Sequence, residues 1–340
     1  MTVSATTHPT LLDYTKRQDP DKSIATIVET LAQTNEVLED MVHLEGNQET
    51  GHRTTVRSGL PTPTWRKLYG GVQPSKSETV QVTDTIGMME AYAEVDKQLA
   101  DLNGNTAAFR MSEDMAHLEG MNQEFASTLF YGDESSAAEE FTGFLPRFNS
   151  STAQSYENVL LGESYGGDGA SGSDQTSIWL VVWGPNTCHG IYSKGSQMGL
   201  SKDDKGQVTI EDTTGSSGGR MEAYRTHYKW CTGLSVRDWR YVVRMVVDST
   251  RLGADPATSN IVDLTQMMSD ACELVPSLSA GRASFYCNRK VKQTLRKQFV
   301  TKVKQSTLGM DDIGGRSTLT FDGIPIRKVD ALTLTEAAVS

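Results

Sequence analysis

No aspartate or glutamate occurs between Gly51 and Ser77, although the 340-residue chain carries 43 acidic against 32 basic side chains and a net charge of −11. The other absences narrow the function classes. An acidic chain lacks the broad basic face that phosphate binding needs, which argues against nucleic acid as the main partner. The polar start MTVSATTHPT has no apolar segment of a secretory signal, and no apolar run is long enough to cross a bilayer. The expectation is a soluble, non-secreted chain with no membrane partner. Cysteine is scarce: Cys188, Cys231, Cys272 and Cys287 stand far apart with no C-x-x-C pair. Cys188–His189 and His227…Cys231 could ligate a metal, but small buried hydrophobes beside ordinary histidines is the favoured reading. Reduced thiols and no metal are expected.

Motifs of catalysis are missing as well. There is no phosphate-binding loop, H-E-x-x-H, calcium loop or G-x-S-x-G elbow, and none of the six histidines sits in a nucleophile context. Gly167–Gly172, GDGASG, matches the dinucleotide fingerprint in letters only. SDQTSIWLVVW comes next and reads as a strand, so no helix N-terminus would face a pyrophosphate. No cofactor and no catalytic residue is expected.

The acid-free stretch, GHRTTVRSGLPTPTWRKLYGGVQPSKS, carries Arg53, Arg57, Arg66, Lys67 and Lys76 together with Trp65 and Tyr69. RTTVR and ETVQVTD read as two strands flanking a long Gly- and Pro-rich excursion, an extended hairpin over 51–84. Leu60, Trp65, Leu68, Tyr69 and Val72 are too apolar for an idle solvated loop, and an interaction arm is favoured.

Before it, DKSIATIVETLAQTNEVLEDMVHLEG predicts a helix capped by Ser23 and stopped at Gly46. After it, TAAFRMSEDMAHLEGMNQEFASTLFYGD predicts a long helix ended by Gly132. Met111, Met115, Leu118, Met121, Phe125 and Leu129 form its expected core stripe, with Glu113, Asp114, Glu119 and Glu124 opposite. From Phe141 the texture changes to strands (SIWLVVW, RDWRYVVRMVV, SFYCN), glycine loops (GESYGGDGASGSD, TTGSSGG) and helices (DLTQMMSDACELV, RKVKQTLRKQF). A hairpin around Asp322-Gly323 closes the chain. The basic helix and the residues just beyond it, with Arg289, Lys290, Lys292, Arg296, Lys297, Lys302 and Lys304, are read as a solvated face rather than a nucleic-acid site. Both polar ends, MTVSATTHPT and TEAAVS, have little core of their own, and a neighbouring copy is expected to hold them.

This order of elements resembles the major capsid proteins of tailed bacteriophages, the HK97-like fold, and in particular those of short-tailed phages. The residues that carry the resemblance are LFYGDESSAAEEFTGFLPRF at the exit of the long helix, SFYCNRKVKQTLRKQ, and FDGIPIRKVDAL near the C-terminus. It implies an α+β fold. Residues 1–50 would be an N-arm with a helix, 51–84 an E-loop, and 85–140 a peripheral domain with a spine helix over about 104–132. An axial α/β domain over 141–300 and returning strands over 301–340 would complete it. It implies a structural protein that self-assembles into hexamers and pentamers of an icosahedral head around double-stranded DNA, held without sequence-specific contacts. A portal, a separate scaffolding protein and a cementing or decoration protein are the further partners implied, with assembly in the host cytoplasm and the virion as destination. The E-loop (Arg53, Arg57, Trp65, Arg66, Lys67, Tyr69, Lys76) would lie across the spine helix and its exit (Glu113, Asp114, Glu119, Glu124, Asp133, Glu134) of an adjacent subunit. An α/β enzyme using the glycine loops, and an encapsulin-type shell around protein cargo, stand as alternatives.

Overall fold

Alternating and continuously apolar runs sort the strands into half-exposed and fully covered ones, and the structure follows that division. The computed structural model describes residues 9, 32–166, 174–211, 219–252, 262–301, 308–313 and 316–339. In chain order these hold α1 (Val37–Asp40), β1 (His43–Glu45), β2 (Gly51–Gly59), β3 (Glu78–Asp96), α2 (Lys97–Ala100), α3 (Thr106–Tyr131), β4 (Val159–Leu161), β5 (Gln175–Trp183), β6 (Cys188–Tyr192), β7 (Ser201–Glu211), β8 (Arg220–Val236), β9 (Val242–Asp248), α4 (Leu264–Leu274), β10 (Arg282–Cys287), α5 (Arg289–Thr301), β11 (Leu308–Ile313), β12 (Arg316–Phe321) and β13 (Ile324–Lys328). The strands pair into one sheet whose main path runs β11-β12-β13-β10-β5-β6-β8-β3-β2, with β9 also on β5, β4 on β9, β1 on β6 and β7 on β8.

All nine residues of β5 are buried. Successive side chains point to opposite faces, so the strand feeds two cores. Ile178, Leu180 and Val182 pack with Met267, Met268 and Ala271 of α4 and Val291 and Leu295 of α5. Trp179, Val181 and Trp183 pack with Phe125, Leu129 and Phe130 of α3 and with Phe144 and Phe148 beyond it. The two sides of one strand therefore join the long helix to the glycine-looped region. The closing hairpin turns through Asp322 (φ 50°) and Gly323 (φ 76°), the two positive φ values that a tight antiparallel turn of this hand requires.

Four expectations need correction. The N-terminal helix does not run to Gly46. Among the described residues of that stretch only Val37–Asp40 is helical, Met41 is extended, and His43–Glu45 is a strand parallel to β6. The chain leaves the helix to pair with β6, with the Gly190 N–H donating to the Val42 carbonyl and the Gly46 N–H to the Tyr192 carbonyl, both at 2.8 Å. Asp40, the last helical residue, is a buried carboxylate that accepts from Arg282 (2.7 Å), Arg327 (3.0 Å) and the Tyr286 hydroxyl (2.9 Å), which itself accepts from Trp183 Nε1 (2.7 Å). Ser23 and the rest of the expected first turns lie outside the described residues.

The methionine stripe of α3 holds only in its second half. Met121, Phe125 and Leu129 are buried, Leu118 is half-buried, and Met111 and Met115 are exposed, because Phe109 and Asp114 turn inward instead. The basic helix is not merely solvated. Lys290 Nζ donates to the carbonyl of Ser249 and Lys292 Nζ to that of Ile326, both at 2.7 Å, and Arg289 pairs with Asp330 at 2.8 Å. Lys302 and Lys304, like most of the two glycine loops, lie outside the described residues.

The C-terminal end is held by its own subunit. Glu336 exchanges backbone hydrogen bonds with Gln175 (2.8 and 3.1 Å), and its carboxylate meets the fully buried Arg244 at 3.1 Å and the Tyr131 hydroxyl at 2.7 Å. Arg244 also donates to Ser177 Oγ, the Phe148 carbonyl and Asn149 Oδ1. Removing one partner of such a pair leaves a buried charge uncompensated, at a cost of about 3–5 kcal/mol. Glu336→Ala should therefore lower the subunit's urea-unfolding stability by that order. The apolar pair Arg244→Met/Glu336→Leu should recover most of the loss.

Candidate assembly surfaces

Strands β2 and β3 form an antiparallel hairpin in register from Gly51↔Thr85 to Gly59↔Glu78, with a shift between Arg57 and Gly59. Its base is fixed in the body. Asp84 is buried, accepts from Ser235 Oγ at 2.7 Å and pairs with Arg147 at 2.9 Å. Beyond the base the hairpin is open. Arg57, Arg66, Lys67 and Lys76 are exposed, and Arg53 spends its Nε on Thr83 Oγ1 at 3.3 Å. Leu60 (78%), Trp65 (104%), Leu68 (83%) and Tyr69 (101%) carry essentially all the exposure their side chains can have. A chain in isolation gains nothing from such an apolar tip.

The six acids expected opposite the arm occupy different environments. Asp114 is buried under Lys202 Nζ (3.0 Å), so it does not stand on the open face. Glu119 accepts from the backbone N–H of Gln33 (2.8 Å) and from Gln123 (2.7 Å). Asp133 accepts from Ser135 and Ser136 just after the helix, and those bonds hold its carboxyl below the usual aspartate range. Glu134 accepts from Thr85 Oγ1 at 2.9 Å, which ties the helix exit to the base of the arm. Glu113 is half-buried, and Glu124 stands beside a groove between α3 and β3.

Sequence reasoning missed that groove. Its floor is Phe125, Phe141 and Thr232, its wall is Met88 and Met89, and Glu124, Glu139 and Glu140 rim it. The available signal was the acid pair of DESSAAEE placed next to the helix's apolar stripe. Also missed was the histidine pair at the arm's base. His52 of β2 and the buried His189 of β6 stand edge to face at 5.8 Å. The four cysteines are unpaired; Cys188, Cys272 and Cys287 are buried, and burial pushes the Cys287 thiol up to about 12. Among the described residues no group of three or more His, Cys, Asp or Glu side chains could hold a metal ion.

The family model of the major capsid protein GP7 matches residues 19–340. The chain belongs to that family. The capsid structure of bacteriophage Epsilon15 is similar over 100% of this chain and 99% of its own, with 36% identity and a TM-score of 0.80. The capsid of bacteriophage JBD30 is similar at 9% identity over 90% of this chain and 93% of its own, with a TM-score of 0.48. That of a GTA particle is similar at 11% identity over 70% and 97%, with a TM-score of 0.41. The search of curated proteins gave no match. The fold is thus the HK97-like α+β capsid fold of the short-tailed phage type, and the function is that of the major capsid protein of a phage head. As a capsid protein it is a component of the virion, and its copies associate with one another in a shell.

The histidine pair gives the capsid protein a pH dependence. Burial, then the neighbouring His52 and Arg237, depress His189 to about 4, while the Gly184 backbone and then Asp84 oppose them. In the unfolded chain the imidazole titrates near 6.5. Between those values the unfolded state binds the extra proton, so this contribution to stability is full above about pH 6.5 and falls as pH drops toward 4. The subunit's melting temperature should decline over that window, and His189→Phe should flatten the decline.

Proposed function

We propose that this capsid protein builds a closed icosahedral head of hexamers and pentamers by laying the cationic hairpin 51–84 of each subunit across the spine helix of a neighbour. The observation that carries this reading is the arm tip. Five basic and no acidic side chains share the stretch 51–77 with a tryptophan and a tyrosine that are fully exposed in their own chain. Opposite charge would orient the encounter, and the aromatic rings would supply buried area.

Residues 1–50 would serve as an arm toward neighbours, 85–140 as the peripheral domain, 141–300 as the axial domain around the capsomer centre, and 301–340 as strands returning to the body. The contents would be double-stranded DNA. A net charge of −11 keeps phosphate from adhering to the wall, so packing and release need no specific contacts broken. Scaffolding, portal and cementing proteins would be separate chains, and assembly would take place in the host cytoplasm. The family function requires no catalytic step.

Charge reversal tests the arm. One rim ion pair is worth roughly 0.2–1 kcal/mol, but a closed shell repeats it at every subunit. Arg66→Glu/Lys67→Glu should give folded subunits that fail to close shells by size-exclusion chromatography and negative-stain microscopy. Adding Glu124→Lys should restore part of the yield. Unchanged assembly in the double reversal would refute the arm as an inter-subunit contact.

A further inference from the structure

The groove between α3 and β3 has an apolar floor and an acidic rim. One cavity of about 220 Å³ is lined by Met88, Phe125 and Phe141 under Glu124, Glu139 and Glu140. A second of about 380 Å³ continues from it past Met89 and Glu124 toward Met121, His117 and Gly120. Phe125 and Phe141 are buried with ring centroids 6.2 Å apart, so the floor is set by packing rather than by mobile side chains. Gly87 keeps the wall open, because a Cβ there would meet the Glu139 carbonyl oxygen at 3.2 Å and the Phe141 ring at 3.4 Å.

The arm tip is a surface of complementary chemistry. Trp65, Leu68 and Tyr69 are apolar and fully or almost fully exposed, Arg66 and Lys67 lie between them, and no acid lies nearby in sequence. Tyr69 is the third residue of a turn closed by the Gly70 N–H donating to the Lys67 carbonyl at 3.0 Å, and its φ of +63° belongs to that turn, which holds the ring out into solvent. The arm of the same subunit is poorly placed to fill the groove. Ten residues of continuous strand separate Glu78, at the arm's outer end, from Met88 at the groove, about 33 Å at roughly 3.3 Å per residue.

Resting on the inter-subunit reading of the arm, we infer that the groove between α3 and β3 is the receptor for a second copy's arm tip. Trp65 seats over Phe125, Phe141 and Met88, Tyr69 follows along the groove toward Met121, and Arg66 and Lys67 meet Glu124, Glu139 and Glu140. The contact thus centres on the groove and the helix exit. Asp114 and Glu119, already engaged within their own subunit, take no part. An aromatic anchor in a preformed pocket with charges at its rim is where interface energy concentrates.

Two measurements test this on assembling full-length protein. The first is a cross-link. In a Cys231→Ser background, which removes the partly exposed cysteine that pairs across from Met88, Arg66→Cys/Glu139→Cys should give disulfide-linked multimers of assembled shells on non-reducing gels. Arg66→Cys/Met115→Cys should give none. Met115 is exposed on the same helix, ten residues before Phe125 and about 15 Å along the axis. Linkage to position 115 and not to 139 would overturn the groove as receptor while leaving the arm-over-helix reading intact. Shells that form with neither link would overturn both, and a link closed within one chain would mean the arm folds back on itself.

The second measurement is fluorescence. Trp179 and Trp183 are buried and Trp230 and Trp239 half-buried, so a blue shift on assembly reports Trp65. Trp65→Phe should abolish the shift and keep assembly, whereas Trp65→Ala should raise the subunit concentration needed for assembly about tenfold. Tyr69→Gly should leave the free subunit at least as stable, since glycine suits the positive φ of that turn, yet weaken assembly. Assembly with no shift in wild type, or unimpaired by Trp65→Ala and Tyr69→Gly, would overturn the proposal.

Discussion

Burial of β5 on both faces is the constraint on which the rest of the subunit depends. A strand so placed must be covered twice, and the two covers come from different parts of the chain. On one side α4 and α5 supply aliphatic and methionine side chains. On the other, the second half of α3 and the segment after it supply phenylalanines that cluster around Trp179 and Trp183, with Phe144 and Trp179 at 5.5 Å. The α3 side and the α4–α5 side of the subunit are therefore two sides of one packed layer. The buried charges sit at the seams of this arrangement. Arg244 with Glu336 and Asp40 with Arg282 and Arg327 fasten segments near the two ends of the described chain to the strands of the same layer. Buried pairs of this kind add little net stability over apolar replacements but penalise any arrangement that separates them.

Much of this was legible in the sequence, for reasons that can be named. The nine-residue run at β5 has no polar alternation, the hairpin strands alternate around a Gly- and Pro-rich excursion, and the long helix carries three-four spacing with Gly132 at its end. Each of these is a local signal. The order of elements then pointed to the capsid fold, which the family match and the Epsilon15 structure bear out.

The illegible parts depend on partners distant in sequence. The first helix ends at Asp40 because the residues after it pair with β6, a strand far along the chain. Asp114 looked like one more exposed acid until Lys202 arrived on β7 to cover it. Lys290 and Lys292 have the spacing of a solvated face, yet both reach carbonyls of other elements. The groove beside α3 is assembled from β3, α3, β8 and the segment after the helix, so no window of sequence contains it.

Strand β3 serves two structures at once. From Ile86 to Asp96 it pairs with β8 inside the sheet, and from Glu78 to Thr85 it pairs with β2. No break separates the two halves, so the arm has the form of a lever whose fulcrum is the Asp84–Arg147 pair. A lever converts small angles into large displacements. With about 20 Å of strand from Asp84 to Glu78, a rotation of roughly 10° at the fulcrum carries Glu78 about 3.5 Å. On the proposed reading of the arm, subunits in non-identical surroundings would meet their neighbours by adjusting one joint, with the packing on both faces of β5 left unchanged.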